Sequence, residues 1–191
     1  NHSTGKMGFE IAKSAANLGA EVILITGPTS QQIQHSFINR INVTTALEMH
    51  EAVHKEYAHV DIAILSAAVA DYKPKNVATQ KIKKAANSLE IQLEPTKDIL
   101  ASLGTAKKKQ FLVGFALETN NEIENAKDKL QRKNLDMIVL NSLQDKGAGF
   151  AKNTNKVTII DADLNETPFE LKSKSDVAND IINHILKKIN S

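Results

Sequence analysis

Apolar positions along the chain alternate between two spacings. Met7, Ile11, Ala15 and Leu18 recur at three- and four-residue intervals and stop at Gly19, which predicts an amphipathic helix. Val22-Ile23-Leu24-Ile25 is a continuous apolar run closed by Gly27-Pro28, the pattern of a strand buried on both faces. Residues 41–44 predict a second strand. Thr45-Ala46-Leu47-Glu48 has the spacing of a capping box and starts a helix running to about Glu56. Residues 61–65, 111–115, 137–140 and 157–160 predict further buried strands, and the alternation of Leu89, Ile91 and Leu93 predicts a strand with one wet face. Helices are predicted from Lys97 to Leu103 behind Thr96, from about Asn120 to Lys133, and after Ser175. The middle one turns Ile123, Ala126 and Leu130 inward. The last carries Val177, Ile181, Ile185 and Ile189 as its stripe. Only residues 66–87 break the rhythm. They begin with Ser66, Ala67, Ala68 and Ala70, become rich in lysine (Lys73, Lys75, Lys81, Lys83, Lys84), and read as a long flap.

Strand–helix alternation with apolar strands predicts an α/β fold: a doubly wound, Rossmann-like, mostly parallel sheet. Without repeats, low-complexity tracts or a linker, residues 1–191 read as one domain. The pattern opens at a helix start where such folds open on a strand, so the first strand is expected to be missing from these 191 residues.

Composition narrows the chemistry. Hydrophobic residues make up 41% of the chain, enough for a real core, yet no apolar run approaches the roughly 18 residues of a membrane span. The first residues have no apolar stretch of a secretory leader, so a cytoplasmic location is expected. Zero cysteines exclude a disulfide framework, a thiolate metal site and a cysteine nucleophile. A net charge of +2 and 4% aromatics with no Trp give no footing for nucleic-acid binding. Arg40 and Arg132 are the only arginines. The cations are therefore mostly lysines, flexible point charges suited to phosphate.

In an open α/β sheet, ligands bind beyond the carboxyl ends of the strands. Those ends carry Thr26-Gly27-Pro28, Ser66-Ala67-Ala68, Phe115-Ala116-Leu117-Glu118 and Asn141-Ser142. Asn1-His2-Ser3-Thr4-Gly5-Lys6-Met7-Gly8 is a polar loop feeding a helix N-terminus, a place that favours anions, with Ser3 as a plain helix cap the alternative. It is neither a Walker A loop nor the dinucleotide glycine fingerprint. Lys129 and Lys133 share a helix face and repel each other unless an anion lies between them. His50-Glu51-Ala52-Val53-His54 matches the zinc-peptidase pair, but Tyr57 and Val60 stand where the extended pattern needs Gly and His. Ala46, Met49 and Val53 form that helix's core stripe, which leaves His50 and His54 facing water, and no metal site is expected.

Several motifs occur in order: the segment from Asn1 to Gly8, Ala67-Ala68-Val69-Ala70-Asp71-Tyr72, Lys81-Ile82-Lys83-Lys84, Pro95-Thr96-Lys97-Asp98-Ile99-Leu100, Gly114-Phe115-Ala116-Leu117-Glu118-Thr119, Lys133-Asn134-Leu135-Asp136, Gly147-Ala148-Gly149-Phe150 and Thr154-Asn155-Lys156. In this order they resemble phosphopantothenoylcysteine synthetase, the ligase domain of the bacterial bifunctional coenzyme A biosynthesis protein. The resemblance implies a ligase that joins 4′-phosphopantothenate to L-cysteine through an acyl-cytidylate made from CTP, with Mg2+ serving the triphosphate. It implies Lys81 and Asn1 as catalytic residues. Asp71, Lys81, Lys97, Asp98, Ile99, Leu100, Phe115, Lys129 and Lys133 would form the nucleotide site, and Asn1, Ser3, Gly5, Ala67 and Ala68 the substrate side. It also implies a homodimer, and fusion or assembly with a flavin-dependent decarboxylase, FMN itself not being expected on this chain. The alternatives are a nicotinamide oxidoreductase and a non-catalytic nucleotide-binding module. The family's usual strand, glycine-rich turn and arginine before the position of Asn1 are not present here.

Overall fold

The computed structural model describes residues 3–82, 90–142 and 153–190. Helix α1 (Lys6–Asn17) opens the described chain and is followed by strands β1 (Val22–Thr26) and β2 (Ile38–Asn42), then α2 (Ala46–Tyr57) and β3 (Ile62–Leu65). A short ribbon of β4 (Tyr72–Pro74) and β5 (Leu93–Pro95) precedes α3 (Ile99–Ala106) and β6 (Phe111–Glu118). Then come α4 (Glu122–Arg132), β7 (Met137–Ser142), β8 (Thr154–Asn155), β9 (Val157–Asp161), β10 (Glu166–Pro168), β11 (Lys172–Ser173) and α5 (Lys174–Ile189).

The expected α/β architecture is present. The main sheet has the order β10-β9-β7-β6-β3, with β3, β6 and β7 parallel, β9 antiparallel to β7, and β10 antiparallel to β9. β1 and β2 form a separate parallel pair. Two cores sandwich the main sheet. One gathers Ile11 of α1 with Val113, Val139, Ile159 and the inner stripe of α5, namely Val177, Ile181 and Ile185. The other gathers Leu100 and Leu103 of α3 with Leu112, Ile138, Ala126 and Leu130. Alternate residues of β6 serve opposite cores: Leu112 and Val113 are both 0% exposed, one on each face. This is why an unbroken apolar run reads as a central strand. α1 and α5 are further tied by Ser14 Oγ donating to Asn179 Oδ1 at 2.7 Å.

Local chemistry sets the helix ends. Thr45 and Glu48 form the expected capping box: Glu48 N donates to Thr45 Oγ1 at 3.1 Å, and Thr45 N donates to Glu48 Oε2 at 3.4 Å. The amides of Thr44 and Thr45 hold the Glu48 carboxyl below its ordinary pKa. Thr45→Ala is expected to cost about 1 kcal/mol and to lower the melting temperature by about 2–4 °C, checked by thermal denaturation; an unchanged midpoint refutes the cap. Two caps fall elsewhere than expected. Asp98, not Thr96, caps α3 by accepting from Ala101 N, and Ser173, not Ser175, caps α5 by accepting from Asp176 N. Thr96 instead donates through Oγ1 to the Ala70 carbonyl at 2.6 Å, which closes the base of the ribbon. Ser3 does not cap α1, whose N-cap is Gly5 at φ +77° with no side-chain cap bond.

The lysine flap is partly ordered by antiparallel pairing of Tyr72 with Pro95 and Pro74 with Leu93. Beyond it Lys75 and Lys81 are exposed. Lys83 and Lys84 lie outside the described residues. Among the described residues, β1 and β3 are not hydrogen-bonded to each other. Among the described residues no helix is long and apolar enough to cross a membrane.

Candidate functional site

β3 ends opposite the middle of β6, with Leu65 paired to Gly114. Two groups of residues flank this pairing. On the β6 side, α4 carries Lys129 and Lys133 one turn apart. Lys129 Nζ donates to the Phe115 carbonyl at 2.9 Å. Lys133 Nζ pairs with Asp98 Oδ2 at 2.7 Å, and Asp98 Oδ1 accepts the Ala101 amide at 2.9 Å. Asp98 therefore caps α3 with one oxygen and anchors Lys133 with the other.

The charges are unevenly matched. Burial pushes the Asp98 carboxyl up, but the bond from Lys133, the Ala101 amide and the charges of Lys133 and Lys129 outweigh it, so its pKa falls below the ordinary value. Lys129 is the reverse case. Its half-buried ammonium is lowered first by desolvation and then by Lys133, and the charges of Glu118 and Asp98 offset this only in part. Its hydrogen bond goes to a neutral carbonyl, and among the described residues no carboxylate lies within ion-pair distance of it. A desolvated cation with donor capacity left over, beside a second cation, attracts an anion.

On the β3 side, α1 begins against the strand end, and a Cβ on Gly8 would stand 2.9 Å from Ser66 Oγ. Ser3 and Gly5 lie in the turn before α1, where Gly5 faces Thr29 and Phe9, and Ala67 and Ala68 follow Ser66 in the chain. Thr29 Oγ1 braces the turn by donating to the Thr4 carbonyl at 2.7 Å. Ile99 and Leu100 are buried in the core rather than open to a ligand, and Leu100 reaches the Cα side of Gly114. Lys97 is exposed just before the Asp98 cap. Asp71 is exposed at the ribbon's base, where its carbonyl accepts Thr96 N at 2.9 Å. Lys81 is exposed beyond the ribbon, with no contact tying it to Lys129 or Lys133. Asn1 and Gly147-Ala148-Gly149-Phe150 lie outside the described residues. The sequence reading missed the Phe115 carbonyl and the double duty of Asp98; Asp98 three residues ahead of Ala101 was the available signal.

His50 and His54 do not face water as expected. Their rings stack at 4.3 Å between centroids, His54 Nε2 bonds Ser102 Oγ at 2.8 Å, and His50 Nδ1 is buried without a partner. Burial first, then the charges of His54 and Lys97, holds His50 below the usual histidine range. Among the described residues no group of three metal-ligating side chains exists.

Residues 1–189 match the family described as the DNA/pantothenate metabolism flavoprotein C-terminal domain. The chain belongs to this family. It is 54% identical over 187 residues to a cysteine/cysteine sulfinic acid decarboxylase of an unknown prokaryotic organism, covering 97% of this chain and 52% of that protein. It is 45% identical over 185 residues to the coenzyme A biosynthesis bifunctional protein CoaBC of Bacillus subtilis (strain 168), covering 97% of this chain and 46% of that protein. The crystal structure of the C-terminal domain of a CoaBC superposes with a TM-score of 0.83 at 41% identity, covering 98% of this chain and 84% of that one. The chain thus spans about half the length of the curated relatives it matches.

These findings correct the expected activity. The family is named for flavoproteins and the 54% identical relative for decarboxylation. They overturn the expectation of a phosphopantothenate–cysteine ligase, with CTP and Mg2+ as its cofactors, and the oxidoreductase and nucleotide-module alternatives with it. The Rossmann-like sheet stands, and coenzyme A biosynthesis is the role for which the 45% identical relative is named.

The described residues do not fit the flavin that the family name implies. An isoalloxazine needs a flat apolar slot, and cofactor pockets run to roughly 300–1,000 Å3. The cavity lined by His54, Tyr57, Ala58, Ala106, Lys108 and Gln110 has about 190 Å3 and sits beyond the amino end of β6, opposite the lysines. At the carboxyl end, the Phe115 carbonyl takes Lys129 and Lys133 pairs with Asp98, a charged rather than apolar lining, while the Phe115 side chain packs into the core shared with α5.

Proposed function

We propose that this chain is the substrate-recognition domain of a coenzyme A-biosynthesis flavoprotein decarboxylase. In this reading its lysine edge holds the anionic groups of a phosphorylated pantothenate–cysteine conjugate, and the flavin chemistry belongs to the rest of a longer polypeptide. The observation that carries the reading is Lys129: a half-buried ammonium, bonded to a neutral carbonyl and repelled by Lys133. An anion there restores the charge balance and gains charge-assisted bonds from both lysines. The substrate class follows from the family's pantothenate metabolism and the relative's cysteine decarboxylation.

Each lysine has a separate part. Lys129 supplies the desolvated charge. Lys133, anchored on Asp98, fixes the position of the second ammonium. Ser3, Gly5, Ala67 and Ala68 offer small side chains toward the end of β3 for the rest of the acyl chain. Lys97 and Lys81 add exposed cations that draw a polyanion in. A homodimer is part of the proposal, supported by the exposed Tyr72, Val77, Ile91 and Leu93 on and beside the ribbon.

Calorimetric titration of residues 1–191 tests this. The phosphorylated conjugate should bind at least tenfold more tightly than its dephosphorylated form, about 1.4 kcal/mol. Equal affinities sink the reading. Because the Lys129 pKa is lowered, affinity should fall with rising pH before the ordinary lysine range is reached. FMN added to the same chain should keep its free fluorescence, and stoichiometric quenching would refute the assignment of flavin to the remainder of the protein.

A further inference from the structure

We infer that His50 and His54 form an acid-sensitive latch between α2 and α3, closed while both rings are neutral and opened when they take up protons. Their four-residue spacing puts both on one face of α2. The rings stack at 4.3 Å between centroids, and His54 Nε2 meets Ser102 Oγ of α3 at 2.8 Å. Ser102 has one hydroxyl proton and donates it to the Ile99 carbonyl at 2.7 Å. Its oxygen therefore accepts from His54, which fixes that ring's proton on Nε2.

The stack leaves no place for charge. In an imidazolium both nitrogens carry protons, so a charged His50 would hold an N–H at Nδ1, a buried atom with no partner. Leaving the donor of a buried cation unmet is costly. A charged His54 would set its positive ring against its neighbour. The surroundings do not compensate. α2 packs on β1 and α3 and shares a core with Ala63 and Leu65 of β3, and none of these three elements carries a titratable side chain. Lys97, just ahead of α3, repels a charge on His50. Lys108 and Tyr57 line a cavity with His54. Exposed Glu51 attracts a charge on His50, but less than burial, His54 and Lys97 oppose it.

The sign with pH follows. Closed, the pair binds fewer protons than it does open. Closure is therefore fully favoured above the ordinary histidine pKa of about 6.5 and weakens as pH falls below it. One histidine kept neutral in the closed state favours opening by up to about thirtyfold at a pH of about 5. The element released is α3. Its first turn hangs on one oxygen of Asp98, and the other oxygen anchors Lys133, so a proton taken up on α2 bears on that anchor through a single helix. The inference holds whatever binds at Lys129.

The test is hydrogen exchange of the chain at about pH 7.5 and about pH 5, corrected for the intrinsic chemical rate. Asp98 and Glu48, the carboxylates that cap α3 and α2, keep their charge at the lower pH because both are held below the ordinary carboxylate value. Amides of residues 102–106 should open about tenfold more often at the lower pH, while β6 and β7 keep their protection. His50→Phe, which keeps a ring against His54 and takes up no proton, should remove most of that response. The inference is overturned if α3 does not respond to acid, if His50→Phe responds as the parent does, or if β6 and β7 open in step with α3, the mark of global unfolding. Burial also holds His184 of α5 below the histidine range, but α5 packs in the opposite core, so its protonation does not single out α3. NMR titration of the unaltered chain is the second measurement. His50 should titrate at lower pH than the exposed His59, and an equal or higher midpoint overturns the inference without any variant.

Discussion

Lys129→Met should lose most of the chain's affinity for the phosphorylated conjugate while keeping, or slightly raising, its melting temperature. The two effects have one cause. The ammonium of Lys129 is desolvated, repelled by Lys133, and bonded to a neutral carbonyl. A hydrogen bond to a charged group contributes about 1.5–3 kcal/mol, so its loss should weaken binding by roughly 10- to 100-fold. Methionine fills the same volume without the desolvation cost, and the stem of the lysine already packs as an apolar chain. The sign with pH follows from the shift. A lysine whose folded pKa is lowered disfavours folding while it is charged. The advantage of methionine is therefore full at neutral pH and shrinks as pH climbs from that lowered value to the ordinary lysine range. A merely structural Lys129 predicts the opposite pattern, with stability lost and binding intact. Paired calorimetry and thermal melts at several pH values separate the two.

Much of this arrangement was legible in the sequence, and the exceptions have physical reasons. Apolar runs located β1, β3, β6, β7 and β9 because strands roofed by helices on both faces need apolar residues at every position. The capping box at Thr45 was legible because both of its partners lie within four residues. The cap of α3 was not, since Thr96 and Asp98 are both competent caps and only the ribbon decides between them by claiming Thr96 for Ala70. The i, i+4 spacing placed Lys129 and Lys133 on one face. It could not show that Asp98, some thirty residues earlier, engages Lys133 and leaves Lys129 without a carboxylate. His50 and His54 were misjudged for a related reason: the helical pattern gave a stripe, but Ser102 of α3 widens the covered face of α2. The activity was least legible. Lysines at a sheet edge point to an anion and carry no mark of the reaction performed on it.

Gly104→Ala should be the most damaging single-methyl substitution in α3. In an exposed helix interior, glycine to alanine gains about 1 kcal/mol. Here the sign reverses. A Cβ at Gly104 would collide with the carbonyl oxygen of Lys133 and stand 2.9 Å from its carbonyl carbon. Neither atom belongs to a flexible side chain. The Lys133 carbonyl sits at the end of α4, next to Asn134 in the left-handed region at φ +52°, and Asn134 Nδ2 donates back to the Gly104 carbonyl at 2.9 Å. Two backbones therefore meet with no room for a side chain, and relief requires α3 to move away from the end of α4. Overpacking of this kind costs about 3 kcal/mol, the upper part of its usual range, or roughly 6–12 °C in melting temperature for a chain of this size. Gly19→Ala is the internal control: nothing lies within 4 Å, only its φ of +91° resists, and the expected cost is about 1–2 kcal/mol. The same displacement should reach the anion site, since Asp98 caps α3 and Lys133 ends α4, and their 2.7 Å contact requires the two helices in register. Gly104→Ala should thus weaken conjugate binding in the fraction that remains folded. Wild-type stability in that variant would show that the contact between the two helices is looser than the structure has it, and with it the anchoring of Lys133.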